Sequence, residues 1–533
     1  MNMNSSWAAR GMVVAPHSLS AQSGLAVLRD GGNALEAMVA AAAAISVVYP
    51  HMNGIGGDSF WLIHEPGKEV VTIDACGRAA GRASMDFYRT HQVDSIPMRG
   101  PLAANTVAGT ISGWALALDY STKQWAGRVP LTRLLDDATH YAADGIVVTQ
   151  SQATNTANKL AELKDIPGFG ERFLDNGKVP AAGALLRQPV IAATLQHLAK
   201  YGLADFYEGE LARSMAGDLA TLGSPLMLAD FEGHAAELRA PVMLEHSRGN
   251  LYNMAPPTQG AVSLMILGIL DRLHIGRVAP DSADFVHLCV EATKQAFMVR
   301  DRHITDPAFM SVDPQQLLAA DALDKLAAAI KRDTALPWGA QSIRGDTVWM
   351  GAIDSKGRAV SFIQSIYHEF GSGVVLKGSG VNWQNRGCSF SLDARALNAL
   401  QPRRKPFHTL NPALARLNDG RTIVYGTMGG DGQPQTQAAV FTRYATFGHG
   451  MQQSIFAPRW LLGRTWGNAT DTLKLEARFE LALVAELKRR GHDAEVVGEW
   501  DETVGHAGGI ARHANGALEA GFDPRSDGAA AGY

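Results

Sequence analysis

Cysteine is scarce: the 533 residues contain three, Cys76, Cys289 and Cys388, far apart and in no CxxC spacing. Neither a disulfide framework nor a thiolate metal site is indicated, so all three are read as buried or free thiols. Charge is also sparse, at 19%, and close to balanced, with 48 lysines and arginines against 52 aspartates and glutamates and a net charge of -4. Such a balance supplies no basic surface for a phosphate backbone, so nucleic acid is not expected as a partner. Long apolar runs are missing too. The longest, Met38 to Tyr49, is too short and too alanine-rich to cross a bilayer, and the first ten residues carry no apolar stretch of the signal-peptide kind. The expectation is a soluble, cytoplasmic chain with no membrane partner.

Several catalytic signatures are absent as well. No GxSxG pentapeptide occurs, which closes the nucleophile-elbow route to a serine hydrolase. There is no Walker A sequence, and neither Gly54-Ile55-Gly56-Gly57-Asp58-Ser59 nor Gly426-Thr427-Met428-Gly429-Gly430-Asp431 completes GxGxxG, so no nucleotide cofactor is expected. Tyr367-His368-Glu369-Phe370-Gly371 lacks the second histidine of HExxH, and no metal is expected.

What is present is the ordinary composition of a globular protein, 46% hydrophobic, long enough for two or three lobes or one large layered domain. From Ala21 to Tyr49 the pattern is helical, broken at Asp30-Gly31-Gly32-Asn33, and the second helix is alanine-dense, suited to close packing against a sheet. A glycine loop, Asn53 to Ser59, feeds a strand beginning near Phe60. From about Pro130 to Ile330 the chain reads mostly as amphipathic helices, including Gln188 to Lys200 and Ser282 to Arg300. Residues 335–346 have no periodicity and read as an exposed linker.

Beyond the linker come strands. Thr347 to Ile353 and Ala359 to Tyr367 flank Asp354-Ser355-Lys356-Gly357, a hairpin in which Gly357 suits the left-handed position and Asp354 closes the turn. A two-residue loop sets Thr347 opposite Gln364, and a three-residue loop sets it opposite Ser365. The junction Asp346-Thr347 is therefore a loop running straight into a strand that starts with threonine. Cut there, Thr347 gains an α-amine beside its own hydroxyl, and an amine with a pKa of about 7.7 to 8.0 serves as base for that poor nucleophile. An ordinary threonine at a loop-to-strand junction is the plainer reading of that one feature.

More of the chain bears on the choice. Gly11-Met12-Val13-Val14, Gly31-Gly32-Asn33-Ala34, Pro50-His51 with Gly54-Ile55-Gly56-Gly57, Pro256-Pro257 with Gly260, and Asp301 with Asp306-Pro307 precede the junction. Thr347 with Asp354 and Gly357, Phe370-Gly371-Ser372-Gly373, Pro412, Gly429-Gly430 and Asp523-Pro524-Arg525 with Gly528 and Tyr533 follow it. In this order the blocks resemble the γ-glutamyltranspeptidase family of N-terminal nucleophile hydrolases over nearly the whole length. The resemblance implies a four-layer αββα sandwich and autoproteolysis between Asp346 and Thr347. The products would be a large fragment, 1–346, and a small one, 347–533, which stay together as a heterodimer that could dimerise further. It further implies an acyl-enzyme on Thr347, a Ser365 hydroxyl bonded to the freed amine, and backbone N–H groups of Gly429 and Gly430 as the oxyanion hole.

The pocket departs from that family. Where it has an arginine for the substrate's α-carboxylate, an ungapped match sets Cys76, with Arg78 close by. Tyr367 replaces an asparagine, Arg386 a glutamine, and Ser389 the acid that receives the α-ammonium; His408-Thr409 replace two serines. Loss of an acid with gain of Arg386 and His408 is expected to favour an acyl group bearing a carboxylate and no amine. The bulk of Tyr367 hints at a small acyl chain. The preferred substrate is oxamate, hydrolysed to oxalate and ammonia. A γ-glutamyl hydrolase or transferase acting on glutathione, a glutaryl-type acylase, and an unprocessed small-molecule-binding homologue are the alternatives. Each pocket residue also has a plainer reading: Arg386 as a solvated charge, His408 as a packing histidine, Tyr367 as a sheet aromatic, Cys76 as a small core residue, and Thr409 as a partner of local backbone.

Overall fold

The computed structural model describes residues 4–339, 346–463 and 470–533, with Asp346 by its backbone alone. Of the expected linker, 335–339 is described and 340–345 lies outside the described residues.

Two seven-stranded antiparallel sheets face each other. The first runs Ser6–Ala8, Leu518–Phe522, Ala507–Arg512, Thr422–Thr427, Ala413–Leu417, Gly249–Asn253 and Val242–His246. The second runs Ala529–Gly532, Met12–Ala15, Asp346–Ile353, Ala359–Tyr367, Asp58–His64, Val71–Ala75 and Glu237–Arg239. Side chains alternate across each strand, so one face of each sheet meets the other sheet and one meets helices. Met12 and Val14, Phe60 and Leu62, Leu414, Val424 and Ile510 form the core between the sheets. Their neighbours Val13, Trp61, Ile63, Met350 and Phe362 join the helices on one outer side. Ala413, Ala415, Ile423 and Tyr425 join those on the other. Helix, sheet, sheet, helix is thus written residue by residue, and the expected αββα sandwich is the architecture.

The alanine-dense helix, Ala34–Val48, is buried along its entire length and opens on a capping box in which Asn33 and Glu36 bond each other's backbone N–H groups. With methyl side chains all round, it fits between the second sheet and the outer helix Leu131–Asp144. The expected helices from 188 and 282 are observed as Pro189–Tyr201 and Ala283–His303, the latter capped by Ser282. One expectation for this region needs correction. Residues 237–253 form three strands, Glu237–Arg239, Val242–His246 and Gly249–Asn253, that edge both sheets. Val242 and Leu244 are buried while Glu245 is exposed, a period of two confined to five residues and masked by the helical stretches around it.

The hairpin after the linker has the three-residue loop. Asp354 N–H donates to the Arg358 carbonyl at 3.1 Å, and Gly357 adopts φ +76°. Asp354 closes the turn as expected, its carboxylate accepting from Lys356 N–H at 2.9 Å, Arg358 Nε at 2.7 Å and Ala34 N–H at 3.1 Å. The register runs from Ile353 opposite Ala359 to Val348 opposite Gln364, which aims Thr347 at Ser365. There the ladder shifts, and Asp346 pairs with Tyr367, so Thr347 faces the two residues Ser365 and Ile366 across a bulge.

Candidate active site

The bulge, the loop before the helix Gly432–Phe441 and the stretch from Asn385 to Thr409 converge at one end of the facing sheets. Thr347 is buried, 1% exposed, and its Oγ1 accepts from Gln433 Nε2 at 3.5 Å. Gln433 stands on the first turn of that helix, directly after Gly429 and Gly430, which have φ +111° and +54°. A side chain at Gly429 is disfavoured in this conformation, which leaves the backbone N–H groups open to close approach. Ser365 Oγ accepts from Tyr367 N–H at 2.8 Å, which turns the chain as it leaves the strand.

Tyr367 has φ +82°, an unusual conformation for a bulky residue, costing about 1–3 kcal/mol. Its ring forms a platform for Arg386, whose Cζ lies 3.7 Å from the ring centroid. Arg386 is fully buried on a short 3₁₀ turn, so the solvated-charge reading is overturned. Its Nη1 donates to Thr409 Oγ1 at 3.4 Å, and neither Nε nor Nη2 has a partner among the described residues.

His408 is also fully buried and its role is not that of a second cation. Its Nε2 meets Asp58 Oδ2 at 2.9 Å, its ring packs edge-on against Phe60, and Nδ1 has no partner among the described residues. Burial first, then Arg386 and Lys405, push its pKa well below the usual 6.5, so it is neutral at pH 7. The expectation of a pocket made cationic by both Arg386 and His408 is corrected: Arg386 carries that charge, and a carboxylate that sequence reasoning overlooked stands near it. Asp58 Oδ1 accepts from Gly77 N–H at 2.9 Å, Gly109 N–H at 3.1 Å and Gln384 Nε2 at 3.1 Å. Burial raises its pKa to about 7 against the pull of those donors and of Arg386. Asp58 was visible in the glycine loop, but nothing in the sequence linked it to His408.

Arg78 does not enter the pocket. Its side chain is half exposed and reaches Glu237 at 3.7 Å, while Cys76 is buried beside Asp58 and His408. Ser389 Oγ donates to the Phe407 carbonyl at 3.4 Å, on the rim. Gln259 is a second residue missed: its Nε2 donates to the carbonyls of both Thr409 and Gly430, each at 2.9 Å. Arg300 holds it, with Nη1 donating to Gln259 Oε1 at 3.2 Å and to Asp431 Oδ1 at 2.7 Å. The nearby Pro256-Pro257-Gly260 pattern marked this loop without showing that its glutamine joins the two halves of the pocket.

Among the described residues, two buried clusters have metal-ligand side chains. In Asp58, Cys76 and His408 the carboxylate oxygens already accept from four donors, burial keeps the Cys76 thiol protonated, and Arg386 adds positive charge, so the set suits hydrogen bonding better than a cation. In His287, Glu291 and His492, Glu291 is engaged by Lys294 Nζ at 2.7 Å and Leu336 N–H at 3.0 Å. His287 spans the Lys331 carbonyl and His492, each at 2.8 Å, and the network ties the end of the helical half to the strand-rich half.

Two facing seven-stranded antiparallel sheets between helical layers are the architecture of the amide hydrolases of the N-terminal nucleophile class. A family model described as Gamma-glutamyltranspeptidase matches residues 20–533, and the chain belongs to that family. It is 58% identical to the oxamate amidohydrolase proenzyme of Klebsiella pneumoniae over 98% of both chains. It is 40% identical to the glutathione hydrolase-like YwrD proenzyme of Bacillus subtilis, again over 98% of both. Among solved structures, cephalosporin acylase from Bacillus halodurans superposes with a TM-score of 0.90 at 31% identity, covering 100% of this chain and 97% of that one. No helix among the described residues is long and apolar enough to cross a membrane.

Proposed function

We propose that the chain cleaves itself between Asp346 and Thr347 and, as the two-fragment enzyme, hydrolyses a small amide that carries a carboxylate, with oxamate as substrate. The observation that carries this reading is Arg386: a fully buried guanidinium, stacked on Tyr367, with Nε and Nη2 unpartnered among the described residues. A buried charge with unpaired N–H donors is costly, and the fork of a guanidinium matches a carboxylate with two hydrogen bonds. Thr409 Oγ1 at the other end of the fork supplies a further polar contact.

In this reading Thr347 Oγ1 attacks the carboxamide carbon while the α-amine takes the hydroxyl proton. The N–H groups of Gly429 and Gly430 receive the oxyanion, and Ser365 orients the amine. The α-ammonium returns that proton to the leaving nitrogen as the tetrahedral intermediate collapses, so the C–N bond breaks, ammonia departs, and an oxalyl ester remains on Thr347 beside a neutral amine. Water, deprotonated by the same amine, then attacks that ester and frees oxalate. Three free cysteines, none in a disulfide, suit a reducing compartment and so a cytoplasmic location.

The γ-glutamyl reading has one observation in its favour, the carboxylate of Asp58 near Arg386, where an α-ammonium group needs an acid. All four of its hydrogen bonds are, however, already made to Gly77, Gly109, Gln384 and His408. Ammonia release from oxamate, with glutamine and glutathione alongside and intact mass on the same sample, tests the proposal. Two fragments active on oxamate alone support it; activity on the γ-glutamyl compounds alone, or a single uncleaved chain, refutes it.

A further inference from the structure

Arg386 and Asp58 are joined through two short paths. Gln384, two residues before Arg386, donates to Asp58 Oδ1 at 3.1 Å. His408, which bonds Asp58 Oδ2 at 2.9 Å, precedes Thr409, whose hydroxyl accepts from Arg386 at 3.4 Å. All four of Asp58, Gln384, Arg386 and His408 are fully buried. Such an enclosure tolerates one positive and one negative charge; a substrate carboxylate at Arg386 brings a second negative one.

We propose that Asp58 and His408 form a specificity element that takes up one proton when an anionic substrate enters at Arg386. Substrates that bring their own ammonium group are thereby disfavoured. The inference rests on the carboxylate-binding reading of Arg386 given above. Above about pH 7 the resting Asp58 is ionised, with His408 Nε2–H donating to it, and its charge balances the guanidinium. When the substrate's carboxylate takes over that balance, the proton comes from solvent. It leaves the pair sharing one hydrogen between Oδ2 and Nε2 and a new N–H at His408 Nδ1, the ring atom that has no partner among the described residues. Oxamate, with one negative charge, is neutralised by Arg386 once the pair has taken up its proton. A γ-glutamyl group brings an ammonium that the protonated pair no longer attracts.

From the strand Val71–Ala75 and its end, packed around the pair, come Asp74, held by Lys405 Nζ at 2.8 Å, and Cys76, a thiol kept protonated by burial. Cys388, on the Arg386 turn, and Tyr207 are likewise held neutral by burial, their pKa values pushed above the ordinary ones. Of the groups facing it, this leaves Asp58 to change charge near neutral pH, since burial lifts it to about 7. The α-amine of a processed Thr347 titrates nearby, so the test must separate the two.

The experiment is competitive inhibition by oxalate, fully ionised from pH 6.5 to 9, of the processed wild type and of Asp58→Asn. Calorimetry in two buffers of different ionisation enthalpy counts the protons. For the wild type, Ki is expected to rise about tenfold more per pH unit above 7 than for Asp58→Asn, with one proton fewer taken up by the variant. Equal slopes and equal proton counts overturn the role of Asp58 while leaving carboxylate binding intact. Failure of the wild type to bind oxalate or oxamate at any pH overturns the reading of Arg386 and this inference together. If Asp58→Asn does not fold, the infrared difference spectrum of wild type with and without oxalate at pH 8 decides. A new protonated-carboxyl or imidazolium band supports the proposal, and its absence overturns it.

Discussion

Arg386 lies on the ring of Tyr367, its Cζ 3.7 Å from the centroid, and that ring is held in place by a backbone at φ +82°. The strand Ala359–Tyr367 thus ends by presenting a flat surface on which a guanidinium rests without competing for its N–H donors. Replacing Arg386 by lysine keeps the charge but loses the fork and the stacking. We expect Arg386→Lys to lower kcat/KM for oxamate roughly 100-fold, about 2.7 kcal/mol, mostly through KM. Steady-state kinetics check it, and an unchanged kcat/KM removes Arg386 from the substrate site.

Thr347 is the proposed nucleophile in both the cleavage and the turnover. Thr347→Ala is expected to remain a single chain with no measurable amidase activity, whereas Thr347→Ser should cleave more slowly and keep part of it. Intact mass and ammonia release on the same preparations give the answer, and an alanine variant that still cleaves would falsify the assignment.

How far the sequence carried these assignments depended on distance along the chain. The hairpin was legible because Gly357 and Asp354 fix a local turn, and a turn fixes a register. The turn narrowed the residue opposite Thr347 to Gln364 or Ser365, and the three-residue loop seen in the structure selects Ser365. The alanine-dense helix was legible for the same local reason, through Asn33 and Glu36. Asp58 with His408, and Gln259 with Thr409 and Gly430, were not legible. Each is a hydrogen bond between segments more than a hundred residues apart, and neither residue type announces its partner. Arg386 could be named from the sequence as a candidate but its burial could not, and the assumption that His408 would share its charge failed because burial decides protonation, and burial is a property of the fold.

Gln259 gives a prediction of its own, since one amide fixes the carbonyls of Thr409 and Gly430, each at 2.9 Å. Gln259→Ala frees the glycine loop from the substrate-binding side and leaves Arg300 with one hydrogen bond fewer. A drop in kcat of roughly 10- to 100-fold is expected, with a smaller change in KM, because a loosened oxyanion loop acts on the transition state. Gln259→Glu restores the bond to Arg300 but cannot donate to two carbonyls, and should not rescue the rate.

Trp349, two residues past Thr347, points between the sheets and packs against glycine on the facing sheet. A Cβ at Gly508 would lie 2.5 Å from Trp349 Cζ3, and one at Gly426 would lie 2.2 Å from its Cδ1. Gly508→Ala is therefore expected to destabilise by about 1–3 kcal/mol, read as a lower midpoint in denaturant, and to slow turnover by shifting Thr347. Adding Trp349→Phe opens room for the methyl group, so the double variant should be less destabilised than the sum of the singles; strict additivity argues against the clash.

Acid sensitivity should centre on Asp523. Burial alone would raise its pKa, but Arg459 and Arg525 outweigh it and hold the carboxyl at about 2, below the usual 3.8. Asp523 Oδ1 accepts from Arg525 Nη1 at 3.0 Å, and Oδ2 accepts from Ala507 N–H at 2.6 Å and from Arg459. A carboxyl depressed in the folded state stabilises fully above its unfolded value and loses that contribution as pH falls through its folded value, so this part of the stability fades between about pH 4 and 2. The same contacts fix the segment around Gly505, whose Cα lies 3.6 Å from where a Gly429 Cβ would stand. Asp523→Asn leaves two buried guanidinium groups short of a counter-charge and should cost about 3–5 kcal/mol at pH 7, with the stability difference from wild type shrinking on acidification. Denaturation midpoints of both proteins from pH 7 to pH 3 measure it, and a difference that stays constant across that range rejects the ionised pair as its source.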